Sequence, residues 1–309
     1  MASSTAPLLC LSRQFLVAFA TLIALFSRMP IAVAHAGTGS DGAIIRTDQT
    51  PSPPTTIVIK RGDVMLEAWV WRPQGGGRFP AVLVNHGSGR TREELERLGP
   101  YEKMAEIVGP VFARHGYVLL YLFRRGVGPS TAAGKNAVDL MTEAAAQDQG
   151  ARNALQMKLL EGREMSDALA ALARLRQLPE VDPQRVALVG HSFGGSLSVL
   201  MAEREPSLRA AVIFSAAGYS WDRSPDLRAR LLRAVGHTSV PMFFLHAAND
   251  FSTNPGKVLD AELARLGKRH RLNIYPAVGR TPEDGHDFPN NSVAVWEPDV
   301  FAFLDRYMR

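Results

Sequence analysis

The chain predicts an α/β fold: one mostly parallel, eight-stranded sheet with helices on both faces and no large lid domain. Three observations predict it. Short apolar runs alternate with stretches of helical period from residue 81 onward. Two strand-like segments flanking Gly62-Asp63 precede them, as an antiparallel hairpin would. Every motif with chemical potential lies just after an apolar run, at the carboxyl end of a strand, where open parallel sheets bind their ligands.

The elements follow in order. Phe15–Phe26 is an apolar run of signal-peptide length behind Arg13, with the small-x-small site Ala34-His35-Ala36 after it. Residues 1–36 therefore read as a removable leader, the alternative being an uncleaved anchor, and the mature chain as exported, periplasmic or secreted, with no stable membrane association. Residues 37–54, rich in Gly, Thr, Asp and Pro, read as a flexible connection, and 55–309 as the folded domain. There the expected strands are Thr55–Arg61, Val64–Trp71, Ala81–Asn85, Tyr117–Phe123, Arg185–Val189, Ala210–Phe214, Pro241–His246 and Arg271–Tyr275. A helix is expected over Tyr101–His115, closed by Gly116. A longer helical region runs from about Leu140 to Leu178, broken near Gly162, with Met165, Leu169, Leu172 and Leu175 on its core side.

Composition narrows the function classes. A chain of 309 residues with 46% hydrophobic content can bury one large core. The net charge of +5 arises from 35 basic and 30 acidic residues, well mixed, without a basic block or aromatic-interleaved stripe, which argues against a nucleic-acid partner. Cys10 is the one cysteine and lies in the leader, so the mature chain has no disulfide, thiol nucleophile or thiolate metal site.

The chemistry centres on Gly190-His191-Ser192-Phe193-Gly194, placed between an apolar strand and the helical stretch starting at Gly194-Gly195. A serine hydroxyl needs a base within hydrogen-bond reach, oriented by a third group. Among the eight histidines, His286 in Asp284-Gly285-His286-Asp287-Phe288, after the last strand, is the expected base; His246 ends a strand and is expected to pack beside the site. The acid is expected at Asp250, after the Pro241–His246 strand, with Asp222 as the rival. Two backbone N–H groups must hold a developing oxyanion. Phe193 and Ser88, in His86-Gly87-Ser88-Gly89, are the expected donors, with Gly89 the alternative to Ser88.

The chain order Ser192, Asp250, His286, the G-H-S-F-G elbow and the H-G-S-G loop resemble the α/β-hydrolase superfamily, and most closely its dienelactone hydrolase-like and acyl-peptidase-like esterase branches. The Arg124-Arg125-Gly126-Val127-Gly128-Pro129-Ser130 stretch adds to the likeness, which covers about residues 55–309. Dienelactone hydrolases proper use a cysteine nucleophile, and this chain departs from them with serine. The resemblance implies an α/β-hydrolase fold and hydrolysis through an acyl-enzyme on Ser192, with no metal or organic cofactor required. The expected partner is a small ester, with short acyl-peptides or acyl transfer to an alcohol as alternatives. The interval between Ser192 and Asp250 is too short for a large lid beside a strand and a helix. Tyr219 and Trp221 are candidates to line an acyl pocket, and Arg124 to meet a substrate carboxylate.

Overall fold

The computed structural model describes residues 52–308, so the expected leader, and most of the connection after it, lie outside the described residues. Eight strands form one sheet: β1 (Thr55–Arg61), β2 (Val64–Trp71), β3 (Phe79–Asn85), β4 (Val118–Leu122), β5 (Val181–His191), β6 (Ala210–Phe214), β7 (Met242–Ala247) and β8 (His270–Tyr275). Their order is β1-β2-β4-β3-β5-β6-β7-β8. The β1–β2 and β2–β4 pairs are antiparallel and every other neighbouring pair is parallel. The hairpin turns at Gly62, whose φ of 60° suits a residue without a Cβ.

The strand composition explains the layering. β3, β4, β6 and β7 are apolar on both faces and buried almost throughout, as a sheet covered on both sides requires. Two apolar clusters result, one on each face of the sheet. Helix Phe193–Arg204 is buried from Phe193 to Ala202, which accounts for its apolar character all round. Helix Tyr101–Arg114 ends as expected, with Gly116 at φ 81°.

The long helical region is three helices, Ala137–Ala145, Gln149–Glu161 and Arg163–Arg176. The expected break falls at Gly162; a second falls before Gln149, where the Asp148 carboxylate caps the new helix by accepting from the Ala151 N–H. On the last helix Met165, Ala168, Leu172 and Leu175 are fully buried, whereas Leu169 is only partly so. The core stripe thus passes through Ala168, a residue too small to mark a core position by itself. The helix Arg92–Leu98 carries a single buried residue, Leu95, and so has no apolar stripe to announce it. Together with the helices over 137–161 it borders the site, and no separate lid domain is formed among the described residues. No helix among them is long and apolar enough to cross a membrane.

Candidate active site

Ser192 sits at the end of β5 with φ 55° and ψ −115°, a left-handed conformation that costs free energy for any residue with a side chain. Ser215 and Ala217, on the loop after the neighbouring β6, also have positive φ, 51° and 54°. All three non-glycine residues with positive φ among those described therefore lie on the two turns beside the nucleophile. The Ser192 N–H donates to the Phe214 carbonyl at 2.9 Å, pinning the turn to β6. Close packing dictates the glycines: a Cβ on Gly194 would overlap the Asn85 and His86 carbonyls, and one on Gly190 would overlap the Gly194 carbonyl and Ser198 Oγ. The turn puts the Phe193 N–H at the first position of a helix, where backbone donors point outward and the helix dipole favours negative charge.

The three residues proposed for nucleophile, base and acid meet here. Ser192 Oγ lies 2.8 Å from His286 Nε2, and His286 Nδ1 lies 2.7 Å from Asp250 Oδ1. The rival acid Asp222 is exposed on its loop. His286 reaches this position on the short helix Pro282–His286, which opens with a reciprocal cap between Thr281 and Asp284. Asn249 clamps that segment: its amide donates to the Val278 and Thr281 carbonyls, both at 2.8 Å, and its oxygen accepts from the Val278 N–H at 2.9 Å. Gly218 leaves room for the acid–base pair, since a Cβ there would stand 2.8 Å from Asp250 Oδ1.

Two further histidines complete the arrangement. His246, fully buried, donates from Nδ1 to Asp250 Oδ2 at 2.7 Å, so both carboxylate oxygens are engaged. The expectation that His246 merely packs beside the site is thereby sharpened: it binds the acid directly. Its spacing from Asp250 along the chain was visible, but the sharp turn after β7 that folds one onto the other was not. Burial works against the Asp250 charge, yet His286 and the hydrogen bond from His246 prevail and hold the carboxyl well below the ordinary range. His191 donates from Nε2 to the His286 carbonyl at 2.9 Å, steadying the base from the elbow itself. Burial and the neighbouring His286 lower the His191 imidazole to about 3, so it stays neutral.

The loop after β3 passes alongside Ser192; a Cβ on Gly87 would stand 3.4 Å from Ser192 Cβ. Four successive carbonyls of this loop have partners. The Arg124 guanidinium donates to His86 O at 2.7 Å and Gly87 O at 3.0 Å, Tyr101 Oη–H to Ser88 O at 3.0 Å, and Ser88 Oγ–H to Gly89 O at 2.9 Å. Burial pushes the Tyr101 hydroxyl up to about 12, which keeps it a neutral donor. With its carbonyls tied back, the backbone of the loop is held in place without a ligand, the preorganisation an oxyanion site requires. Ser88 and Gly89 border the same cleft as Ser192 and Phe193.

Two of the residues expected to contact substrate do otherwise. Arg124 is buried, with 3% of its side chain exposed, and faces the equally buried Glu164 at 3.1 Å in an ion pair rather than a linear hydrogen bond. Beside it Arg125 grips the buried Asp167 through two bonds, 2.6 and 2.8 Å. The pair fastens the end of β4 to helix Arg163–Arg176, so Arg124 is a loop tether and not a carboxylate ligand. Trp221, 2% exposed, belongs to the core. Tyr219 does border the cleft, and packs edge-on against Phe251, which in turn packs on His286.

Two small clefts flank Ser192. One, about 40 Å³, lies on the His286 side between Leu95, Tyr101, Met104, Glu283 and Asp287. The other, about 20 Å³, lies on the Phe193 side and includes Met141, Arg152, Gln156, Ser196, Tyr219 and Ser220. Arg90 borders both, ion-paired with Glu94 at 3.0 Å and Glu283 at 2.8 Å, its guanidinium over the Phe251 ring.

A doubly covered sheet carrying a strained serine elbow, a histidine and an acid in series defines a serine hydrolase of the α/β-hydrolase class. The chain belongs to the dienelactone hydrolase family, whose model matches residues 66–294. It is 25% identical over 165 residues to the quorum-quenching protein AidA of Acinetobacter baumannii, covering 53% of this chain and 44% of that protein. It thus spans less than half the length of this curated relative. Among solved structures it is similar to the acylaminoacyl peptidase of Pyrococcus horikoshii, with a TM-score of 0.61 at 16% identity over 88% of this chain and 44% of that one. It is also similar to a putative dienelactone hydrolase of Klebsiella pneumoniae, with a TM-score of 0.57 at 17% identity over 82% of this chain and 98% of that one. These two likenesses concern the fold.

Proposed function

We propose that the protein hydrolyses small carboxylic esters through an acyl-enzyme on Ser192. The observation that carries this reading is the continuous hydrogen-bonded series Ser192–His286–Asp250, at 2.8 and 2.7 Å. Ser192 Oγ attacks the ester carbonyl while its proton passes to His286 Nε2. Asp250 fixes the tautomer and stabilises the imidazolium. The oxyanion is held by the Phe193 N–H and an N–H of the Ser88 loop. Collapse of the tetrahedral intermediate expels the alcohol, which takes the proton from His286; water then repeats the sequence and releases the acid.

The size of the clefts supports a small substrate. The cleft beside Phe193 is narrow, about 20 Å³, which favours a slim acyl group over a bulky one. The test is hydrolysis of p-nitrophenyl esters of graded acyl length beside aminoacyl arylamides, together with labelling by a fluorophosphonate. Short esters turn over best and the label maps to Ser192. Exclusive cleavage of the arylamides would transfer the assignment to acyl-peptides, and absence of label at Ser192 would reject the acyl-enzyme altogether.

A further inference from the structure

The cleft on the His286 side of Ser192 backs onto hydrocarbon. Its apolar wall is made by Leu95 and Leu98 of helix Arg92–Leu98 and by Tyr101 and Met104 of helix Tyr101–Arg114. Behind that wall lies a second cavity of about 40 Å³, between the ends of β3, β5 and β6 and the helices Tyr101–Arg114 and Val293–Met308. Val84, Val108, Phe112, Val189, Phe214 and Trp296 line it. Gly87, Met104 and His191 border both spaces and so form the divide between them. Two of the three are fixed. Gly87 is held through its carbonyl by Arg124 at 3.0 Å, and His191 by its bond to the His286 carbonyl at 2.9 Å. Met104 is the flexible member, an unbranched side chain with three rotatable bonds and no hydrogen bond to break.

The inner cavity suits hydrocarbon better than water. A buried water needs about two to four polar partners. The polar side chains on this wall are engaged elsewhere: His86 Nδ1 lies 2.6 Å from the Gly87 carbonyl, His86 Nε2 accepts from the Arg124 N–H at 3.3 Å, and the Asn290 amide donates to Asp287 at 2.6 Å. The chemistry at Ser192 decides which part of a substrate faces this way. An expelled alcohol takes its proton from His286 Nε2, so its oxygen stands on the His286 side, and its carbon chain continues along the wall of Leu95, Leu98 and Tyr101 toward Met104.

We infer that the two spaces form one leaving-group channel with Met104 as its gate, and that the preferred substrates are esters of unbranched primary alcohols whose alkyl chain passes Met104 into the inner cavity. The inference rests on the ester-hydrolase reading above and names the alcohol class for that same site. A slim chain displaces only the Met104 thioether. An alcohol branched near its oxygen would have to move Gly87 or His191, and with them the loop after β3 or the base.

The test holds the acyl group constant and varies the alcohol: ethyl, butyl, hexyl and neopentyl acetate. The expected kcat/KM rises by about threefold for each methylene from ethyl to hexyl, the scale of burying one methylene, and drops for the neopentyl ester. Val108→Phe fills the inner cavity from the side away from Ser192 and flattens the rise beyond butyl. Met104→Ala widens the gate and raises the neopentyl-to-hexyl ratio. A binding measurement needs neither turnover nor a change to the cavity wall: in Ser192→Ala, bromohexanol brings its bromine against Trp296 and quenches its fluorescence saturably, whereas bromoethanol does not, and Trp296→Phe removes the quenched component. A kcat/KM that stays flat with chain length would overturn the channel while leaving the esterase standing. Saturable quenching without turnover of any acetate would uphold the channel and reject the esterase. A rise that Val108→Phe leaves intact, with Trp296 unquenched, would seat the chain on the outer wall at Leu95 and Leu98 and overturn the inner cavity as its place.

Discussion

The two walls of the cleft around Ser192 are built on opposite terms. On the catalytic wall the polar atoms that touch the acid, the base and the loop carbonyls are partnered within the chain. Both Asp250 oxygens accept from histidines, His286 uses both ring nitrogens and its carbonyl, and the carbonyls of residues 86–89 are each tied to a donor. On the acyl wall Arg152 and Gln156 leave buried polar atoms open. The contrast teaches which groups the fold itself holds in place. Atoms that must not move during reaction are satisfied before substrate arrives.

Breaking the catalytic wall at its centre has the largest expected effect. Ser192→Ala lowers p-nitrophenyl acetate turnover by about four to six orders of magnitude, the scale seen when the nucleophile of such a triad is removed. The melting temperature barely changes, because Ala inherits the same backbone and loses only the bond to His286. Undiminished turnover would refute the assignment.

Next comes the tether behind the loop after β3. Arg124→Met leaves Glu164 with only the half-buried Arg163 beside it and frees the His86 and Gly87 carbonyls. Losing one partner of a buried pair costs about 3 kcal/mol or more, measurable by denaturant unfolding, and kcat falls with it as the loop loses its shape. Were Arg124 instead a substrate ligand, KM would rise with stability unchanged.

How much of this was legible follows from what kind of signal each part leaves. The elbow is written in glycines because backbone packing at Gly190 and Gly194 admits nothing larger, and the strands are written in apolar runs because the sheet is covered on both faces. Asp250 could be ranked above Asp222 by its place after a strand, but only the turn that stacks it under His286 separates a buried acid from an exposed one. Arg124 misled because an arginine at the end of a strand reads alike whether its partner is substrate or Glu164, and the partner lies on another helix. Trp221 misled for a similar reason, since an aromatic next to a site lines it or supports it according to a rotation the sequence does not encode. Asn249 could have been suspected from its place beside Asp250.

The catalytic wall also sets the acid limit of the fold. His86 is held well below its ordinary range by burial and by the Arg124 charge, and His191 is lowered to about 3. Once unfolded, each titrates near 6.5 and binds a proton that the folded form refuses, so stability falls as pH drops below that value. The limiting slope is about 1.4 kcal/mol per pH unit for each histidine. The depressed carboxyl of Asp250 adds loss of the same sign in the carboxylate range, whereas Asp287, raised by burial, opposes it there. Denaturant unfolding at pH 7 and pH 5 therefore shows a clear decrease, and His191→Gln makes the dependence shallower. A stability independent of pH over this interval would mean that the wall admits charged histidines after all.

The smallest effect expected lies behind the acid and asks whether the partnered wall works as a unit. His246 touches no substrate; it acts through Asp250, and its own Nε2 is buried without a partner against Gly256. His246→Leu removes one of the two donors to the carboxylate, so kcat falls about tenfold, corresponding to one hydrogen bond of about 1.4 kcal/mol, with KM little altered. His246→Asn, whose amide can donate to the same oxygen, recovers most of the rate. A fall in stability with kcat unchanged, or no recovery with Asn, would reduce His246 to packing and show that one donor on Asp250 suffices to orient the base.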